Sequence, residues 1–337
     1  MKAAKSKRIL ASVLIAVMTM AAVVTTQPVA ATSASYIVSR SDNKYSYMDM
    51  KKDIEQLTAK YPDRLTSQVL GQSADGRNLY ALCLGNPKAE KQILVTAGTH
   101  AREYINCQVV MMMVERHCQN YGGKYKGKTY RQLFDKVAVY IVPMVNPDGI
   151  AISQSGANAI RDAALRKKVR KMPRRGGYSN WKANARGVDL NRNYKMYAGR
   201  PAEKKPASEG YPGDSRFSEN EEKAVRDLMK SLTNLKACLN YHSMGQAIYW
   251  GYRNKSYKSE CYALAKMFRD MTGYYLIDES YTKATYGDLE HYIMNEYRIP
   301  YVCVETGYGG MPLPGTQLMP IYKKIVNSFE NTAYMYW

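Results

Sequence analysis

The sequence predicts an α/β fold, a sheet carrying helices on both faces. Three observations lead there. Short apolar runs at 92–97, 137–145, 235–241 and 300–304 have the length and composition of buried strands. Segments with helical spacing or helix-start signals lie between and after them, at 103–120, from 218 onward and at 319–334. The chain has 337 residues, 45% hydrophobic and 23% charged, which suffices for a large core and excludes wholesale disorder. No internal repeat or low-complexity linker divides it, so residues 35–337 are expected to form one domain.

Residues 1–34 read as a secretory signal, apart from the fold. Lys2, Lys5, Lys7 and Arg8 are followed by an apolar stretch at 9–24, near the upper length for a signal and short for a spanning helix. Val29-Ala30-Ala31 and Thr32-Ser33-Ala34 offer small-residue cleavage sites near 31–34. No later stretch approaches the ~20 apolar residues that span a bilayer. A secreted, extracellular protein with no stable membrane insertion after signal removal is expected. No separate inhibitory propeptide is expected before the catalytic region.

The remaining elements follow in order. Residues 46–60 carry Met48, Ile54 and Leu57 at helical spacing. Gly71 and Asp75-Gly76 bracket short strands, including 79–84. The strand at 92–97 leads into a long apolar helix at 103–120. The strand at 137–145 is closed by Asn146-Pro147-Asp148-Gly149, a strong turn signal. Residues 150–187 are polar, basic and rich in Gly and Pro, and read as a long loop. Ser218 followed by Glu221 and Glu222 reads as a capping box that starts a helix. Core strands at 235–241 and 300–304 and a closing helix at 319–334 complete the pattern.

Lys and Arg number 49 against 29 Asp and Glu, a net charge of +20. Seven basic residues lie at Arg166, Lys167, Lys168, Arg170, Lys171, Arg174 and Arg175. No nucleic-acid fold signature surrounds them, so nucleic acid is not an expected partner. The readings left are a solvated loop or adhesion to an anionic cell wall. Tyr is abundant, at 30 residues against 4 Phe, which suits half-exposed binding clefts. The six Cys are widely spread, and either disulfides or buried free thiols fit. Cys107 and Cys118, on one helix, stand too far apart to bond.

In open α/β sheets ligands gather beyond the carboxyl ends of strands. His100 and Glu103 follow the strand at 92–97, His242 follows 235–241, and Glu305 ends 300–304. A lone His-x-x-Glu is weak evidence, because chance produces it often. His242 at a similar strand end strengthens it. Two imidazoles and one carboxylate make a zinc site with a coordination position left open. Such a site activates water and polarises a carbonyl, and Glu305 could take the water's proton and hand it to a leaving amine. Softer metals are disfavoured because no Cys lies beside these ligands. Asp189 is a candidate partner for a ligating imidazole. Asn191 and Arg192 offer a planar fork suited to a carboxylate.

The chain resembles the zinc carboxypeptidases of the carboxypeptidase A type over nearly all of its length after the signal. The landmarks are Thr99-His100-Ala101-Arg102-Glu103-Tyr104, Asn146-Pro147-Asp148-Gly149, Gly187-Val188-Asp189-Leu190-Asn191-Arg192-Asn193, Tyr241-His242-Ser243 and Val304-Glu305-Thr306-Gly307. Trp181-Lys182-Ala183-Asn184 is similar to the bacterial branch of γ-D-glutamyl-diamino-acid peptidases. The resemblance implies a mixed, twisted eight-stranded sheet between helices and one zinc ion per chain. It implies His100, Glu103 and His242 as zinc ligands and Glu305 as general base. Asn191 and Arg192 are implied as holders of a substrate carboxylate, and Arg102 as a contact on the carbonyl side.

Two departures stand out. Lys182 occupies the place where many relatives carry an arginine that stabilises the oxyanion; it keeps the charge and loses the fork, and Arg186 is a nearby substitute. A mobile tyrosine of the family has no direct counterpart, and Tyr281 is favoured over Tyr286. The position that sets side-chain preference in relatives holds Glu290, an anion suited to the ammonium of lysine or diaminopimelate. The leading expectation is a secreted zinc metallopeptidase that trims peptidoglycan stem peptides at the γ-D-Glu–diamino acid bond. The alternatives are a digestive carboxypeptidase releasing C-terminal, basic residues and an inactive wall-peptide-binding protein.

Overall fold

The computed structural model describes residues 36–41, 44–194, 202–251, 258–279 and 287–337. The expected signal and Tyr281 lie outside the described residues. An eight-stranded mixed sheet runs through the molecule. Its strands are β1 (Leu65–Gln72), β2 (Asn78–Leu84), β3 (Lys91–Ala97), β6 (Val137–Val142), β7 (Leu235–Ser243), β8 (Ala247–Trp250), β9 (Tyr275–Asp278) and β10 (Tyr301–Thr306). A small separate hairpin comprises β4 (Lys124–Tyr125) and β5 (Lys128–Thr129). The sheet order is β1-β2-β6-β3-β7-β10-β8-β9. Its centre, β6-β3-β7-β10, is parallel and reads as almost continuous apolar sequence because it is covered on both faces.

The helices follow their local signals. In α1 (Tyr47–Lys60) Ser46 and Asp49 form a reciprocal capping box. Helix α2 (Ile105–Gln119) is buried nearly all round, consistent with its apolar sequence. Both Cys107 and Cys118 lie on it, and all six cysteines are buried free thiols. Glu115, fully buried on α2, accepts hydrogen bonds from the Ile37 and Val38 N–H groups at 2.6 and 3.3 Å. These bonds, with an Arg40 ion pair at 3.2 Å, tie the start of the compact unit, residues 36–337, to its central helix.

Three expected elements differ. The stretch 150–187 contains most of helix α4 (Pro147–Ser155) and all of α5 (Ala163–Lys171). Asn146 and Pro147 start the first, and the Asp162 carboxylate caps the second through the Leu165 N–H. The basic run conceals a narrow apolar stripe, Leu165, Val169 and Met172, beneath α5. Ser218 does not cap α6 (Asn220–Ser231); its hydroxyl donates to Glu219 Oε1 at 2.8 Å, and Glu219 occupies the cap position. The closing helix is two, α9 (Leu318–Ile325) and α10 (Ser328–Met335), separated at Val326-Asn327. Helices α3 (Tyr130–Lys136), α7 (Lys258–Thr272) and the four-residue α8 (Leu289–Tyr292) complete the described set.

Candidate active site

The loop after β3 is built to turn His100 and Glu103 towards one another. Gly98 has a left-handed φ of +68°, and a Cβ there would stand 2.4 Å from Cys107 Sγ. The Asn146 amide donates to the carbonyls of Thr99 and Ala183, both at 3.1 Å, while its Oδ1 caps α4 through the Gly149 N–H. A Cβ on Gly149 would meet the Ala183 carbonyl at 2.3 Å, so this joint requires glycine. The Asn-Pro-Asp-Gly segment thus clamps the His100 loop to the Lys182 segment. Ala101 N–H donates to the Lys182 carbonyl at 3.0 Å, and a 3-10 turn over Ala101–Glu103 follows.

His242 enters from β7, and Glu305 stands opposite it on parallel β10. His100 Nδ1 lies 2.9 Å from Glu103 Oε1, and His242 Nδ1 lies 2.8 Å from Glu103 Oε2. The two Nδ1 atoms are only 3.0 Å apart. All three side chains are buried. Two facing ring nitrogens with a carboxylate between them fit a shared cation, and the N, N, O donor set suits zinc. The residues therefore fit the metal that the sequence implies. The expectation that no thiol lies close needs correction: Cys303 Sγ stands within 4.8 Å of donor atoms of both His242 and Glu290. Strand register brings it there, since Cys303 pairs with Asn240, two residues before His242.

Asp189 backs the first imidazole. Its Oδ1 is 3.4 Å from His100 Nε2, and its Oδ2 accepts from Gly210 N–H at 3.1 Å and faces Lys182 Nζ at 3.6 Å. Burial disfavours its charge, but Lys182 and His100 outweigh burial and hold the carboxyl well below its usual range. Burial, followed by Lys182, lowers the His100 pKa. His242 is held up at about 9 against burial, chiefly by Glu103. Glu305 goes the other way: burial and then Glu103 raise it to about 8. Its Oε2 is buried without a hydrogen-bond partner among the described residues.

A cavity of about 230 Å³ opens beside these groups. Lys182, Asn191, Arg192, Glu290 and Glu305 all line it. Asn191 Oδ1 accepts from Leu289 N–H at 3.0 Å, and its Nδ2 reaches Glu290 Oε2 at 3.4 Å. Glu290, on α8 and buried, therefore faces the cavity. Arg102 is not among the lining residues; it donates to the Asn180 carbonyl at 3.1 Å and pairs with Glu209 at 3.5 Å. Arg186 turns away as well, towards Glu219 at 3.5 Å, whereas Lys182 and Arg192 both line the cavity with His100 and His242. Sequence reasoning missed Asn240, Tyr249, Glu279, Asp288 and Cys303 around this site. Two of them, Asn240 and Cys303, were within reach of it: each lies one strand repeat before His242 or Glu305.

Known proteins share this sequence pattern and fold. Gamma-D-glutamyl-L-diamino acid endopeptidase 1 of Lysinibacillus sphaericus is 28% identical over 296 residues, covering 86% of this chain and 72% of the relative. Carboxypeptidase B of Rattus norvegicus is 31% identical over 202 residues, covering 59% of this chain and 45% of the relative. The crystal structure of thrombin activatable fibrinolysis inhibitor shares the fold, with a TM-score of 0.71 at 24% identity over 90% of this chain and 77% of that one. A model of the zinc carboxypeptidase family matches residues 50–324, most of the sequence. The chain belongs to the zinc carboxypeptidase family and is a zinc metallopeptidase.

Proposed function

We propose that this peptidase is exported and trims peptidoglycan stem peptides at the bond between γ-D-Glu and a diamino acid. The observation that carries the reading is the cavity itself, which presents Asn191 and Arg192 together with the Glu290 carboxylate. A terminal diamino acid offers the complementary pair, a carboxylate for the Asn-Arg fork and a side-chain ammonium for Glu290. The relative from Lysinibacillus sphaericus, named for that substrate class, supports it. A γ-linkage also leaves the D-Glu α-carboxylate free on the carbonyl side; Arg102 would serve it only by exchanging its Glu209 partner at 3.5 Å for that carboxylate.

His100, Glu103 and His242 hold one zinc ion in this reading, with Asp189 fixing the His100 ring. When bound, zinc supplies Lewis acidity towards water and the scissile carbonyl. Glu305 accepts a proton from the attacking water. The water oxygen bonds to the carbonyl carbon, and Lys182 neutralises the charge developing on the carbonyl oxygen. Glu305 then gives its proton to the amide nitrogen as the C–N bond breaks, releasing the amine and a new carboxylic acid. Residues 1–34 serve as the export signal, and the exposed basic face of α5 with Arg174 and Arg175 adheres to the anionic wall.

Glu290 and the likeness to carboxypeptidase B favour one second reading, release of basic C-terminal residues from ordinary peptides. One digest separates the two. Zinc-loaded protein is incubated with L-Ala-γ-D-Glu-diamino-acid peptides and with ordinary peptides ending in Lys, Arg, Phe or Glu, and products are read by mass spectrometry. Release of the diamino acid from the γ-linkage supports the wall reading. Release of ordinary termini with stem peptides intact rejects it in favour of the second.

A further inference from the structure

We propose that Asn240 is a positioning residue that couples the metal centre to the acidic end of the cavity. The inference rests on the roles proposed above for His242 and Glu290. Asn240 lies on β7 two residues before His242, so both side chains leave one face of the sheet. Its neighbours in register are Thr96 on β3 and Cys303 on β10. The carboxamide is buried and engaged at both ends. Its Nδ2 lies 3.0 Å from His242 Nε2 and 2.6 Å from Glu290 Oε1, while Thr96 Oγ1 donates to its Oδ1 at 2.7 Å.

An imidazole that gives Nδ1 to a metal carries its proton on Nε2. That N–H needs an acceptor, but the amide as placed presents a donor to it. The two ends of a carboxamide have nearly the same shape, so the group can turn over without repacking. Turned, it offers Oδ1 to His242 and Nδ2 to the Thr96 hydroxyl, which accepts as readily as it donates. Glu290 Oε1 then faces a carbonyl in place of its amide donor. The carboxylate loses that hydrogen bond, and its charge is left for a cation in the cavity. Metal at His242 and ammonium at Glu290 favour the same amide orientation, so each strengthens binding of the other. Direct repulsion between the two cations acts in the opposite sense. It is common to wild type and to a Leu variant, so their difference isolates the amide.

The test uses the full-length protein, zinc-free and zinc-saturated, with ε-aminocaproate and caproate as probes that differ by one ammonium. Calorimetry gives the affinity ratio of the two probes in each state. Zinc should raise that ratio in wild type at least about fivefold more than it does in Asn240→Leu. Chelator competition should show about tenfold weaker zinc binding by Asn240→Leu. Asn240→Asp keeps an acceptor for His242 and has no amide donor to withdraw. It should hold zinc close to wild-type affinity while losing the extra zinc dependence of the ratio. Melting temperatures of the zinc-free proteins check that each variant folds. The same zinc-induced change in wild type and in the folded variants would overturn the coupling and leave the cation pocket standing. A wild-type protein that never prefers ε-aminocaproate would overturn the pocket reading and the coupling together.

Discussion

Changing Asp189 to Asn tests how the metal centre is supported. Asp189 is buried, its Oδ1 is 3.4 Å from His100 Nε2, and its Oδ2 holds the Gly210 N–H at 3.1 Å. Asn keeps the shape and can keep the Gly210 bond. It loses the negative charge that orients the ring and balances Lys182 at 3.6 Å. Partners of metal-bound imidazoles contribute about 10- to 100-fold in metal affinity. A separation of 3.4 Å is long for a hydrogen bond, so the lower end is expected, about tenfold or 1.4 kcal/mol. The assay is zinc competition with a chelator of known affinity, run beside thermal melts of the zinc-free proteins. Weaker zinc binding with an unchanged zinc-free melt is the expected result. Unchanged zinc affinity would refute the role of Asp189, and an equal loss of zinc-free stability would reduce that role to general folding.

Four further outcomes follow from named contacts. Glu305→Gln should retain zinc yet lose about 10²- to 10⁴-fold in kcat, measured on whichever peptide the digest identifies; full turnover would mean another base. Glu290→Lys should shift preference from cationic to anionic side chains, read as the order of release from a peptide mixture, because like charges in a closed site repel by several kcal/mol. Arg77 reaches the buried carboxylates of Asp148 and Asp75 at 2.7 and 2.6 Å, so Arg77→Ala should cost about 3–5 kcal/mol in a denaturant titration. Burial, and then Asp148, raise Glu221 to about 8, against an ordinary value of 4.5. Its folded form therefore binds more protons than the unfolded chain between those values. The contribution is present at low pH and lost as pH rises through about 8, so wild type should lose stability relative to Glu221→Gln by up to about 1.4 kcal/mol per pH unit.

Much of the candidate site was legible in the sequence because His100, His242 and Glu305 sit at strand ends. Apolar runs at 92–97 and 235–241 locate β3 and β7 directly, and His100 and His242 follow from them. The Glu305–His242 pairing was implicit in two similar strands ending alike, and parallel register makes it explicit. What resisted reading depends on side chains that no short motif encodes. Helix α5 is held by one cap and a narrow stripe under a basic face, so composition alone suggested a loop. Ser218 carries the letters of a cap, but Glu219 takes its hydroxyl. Arg102 and Arg186 were legible as cations near the ligands, yet Glu209 and Glu219 turn them aside. Asn240 and Cys303 look like ordinary core residues until register places them between the ligands and Glu290.

Anomalous scattering at the zinc edge from crystals of the zinc-loaded protein reads out directly whether His100, Glu103 and His242 hold the metal. That ligand set requires one strong peak about 2.0–2.2 Å from His100 Nδ1, His242 Nδ1 and a Glu103 carboxylate oxygen. A peak on the Nε2 side of His242, among Glu290 and Cys303, or no ordered metal at these residues, would contradict it.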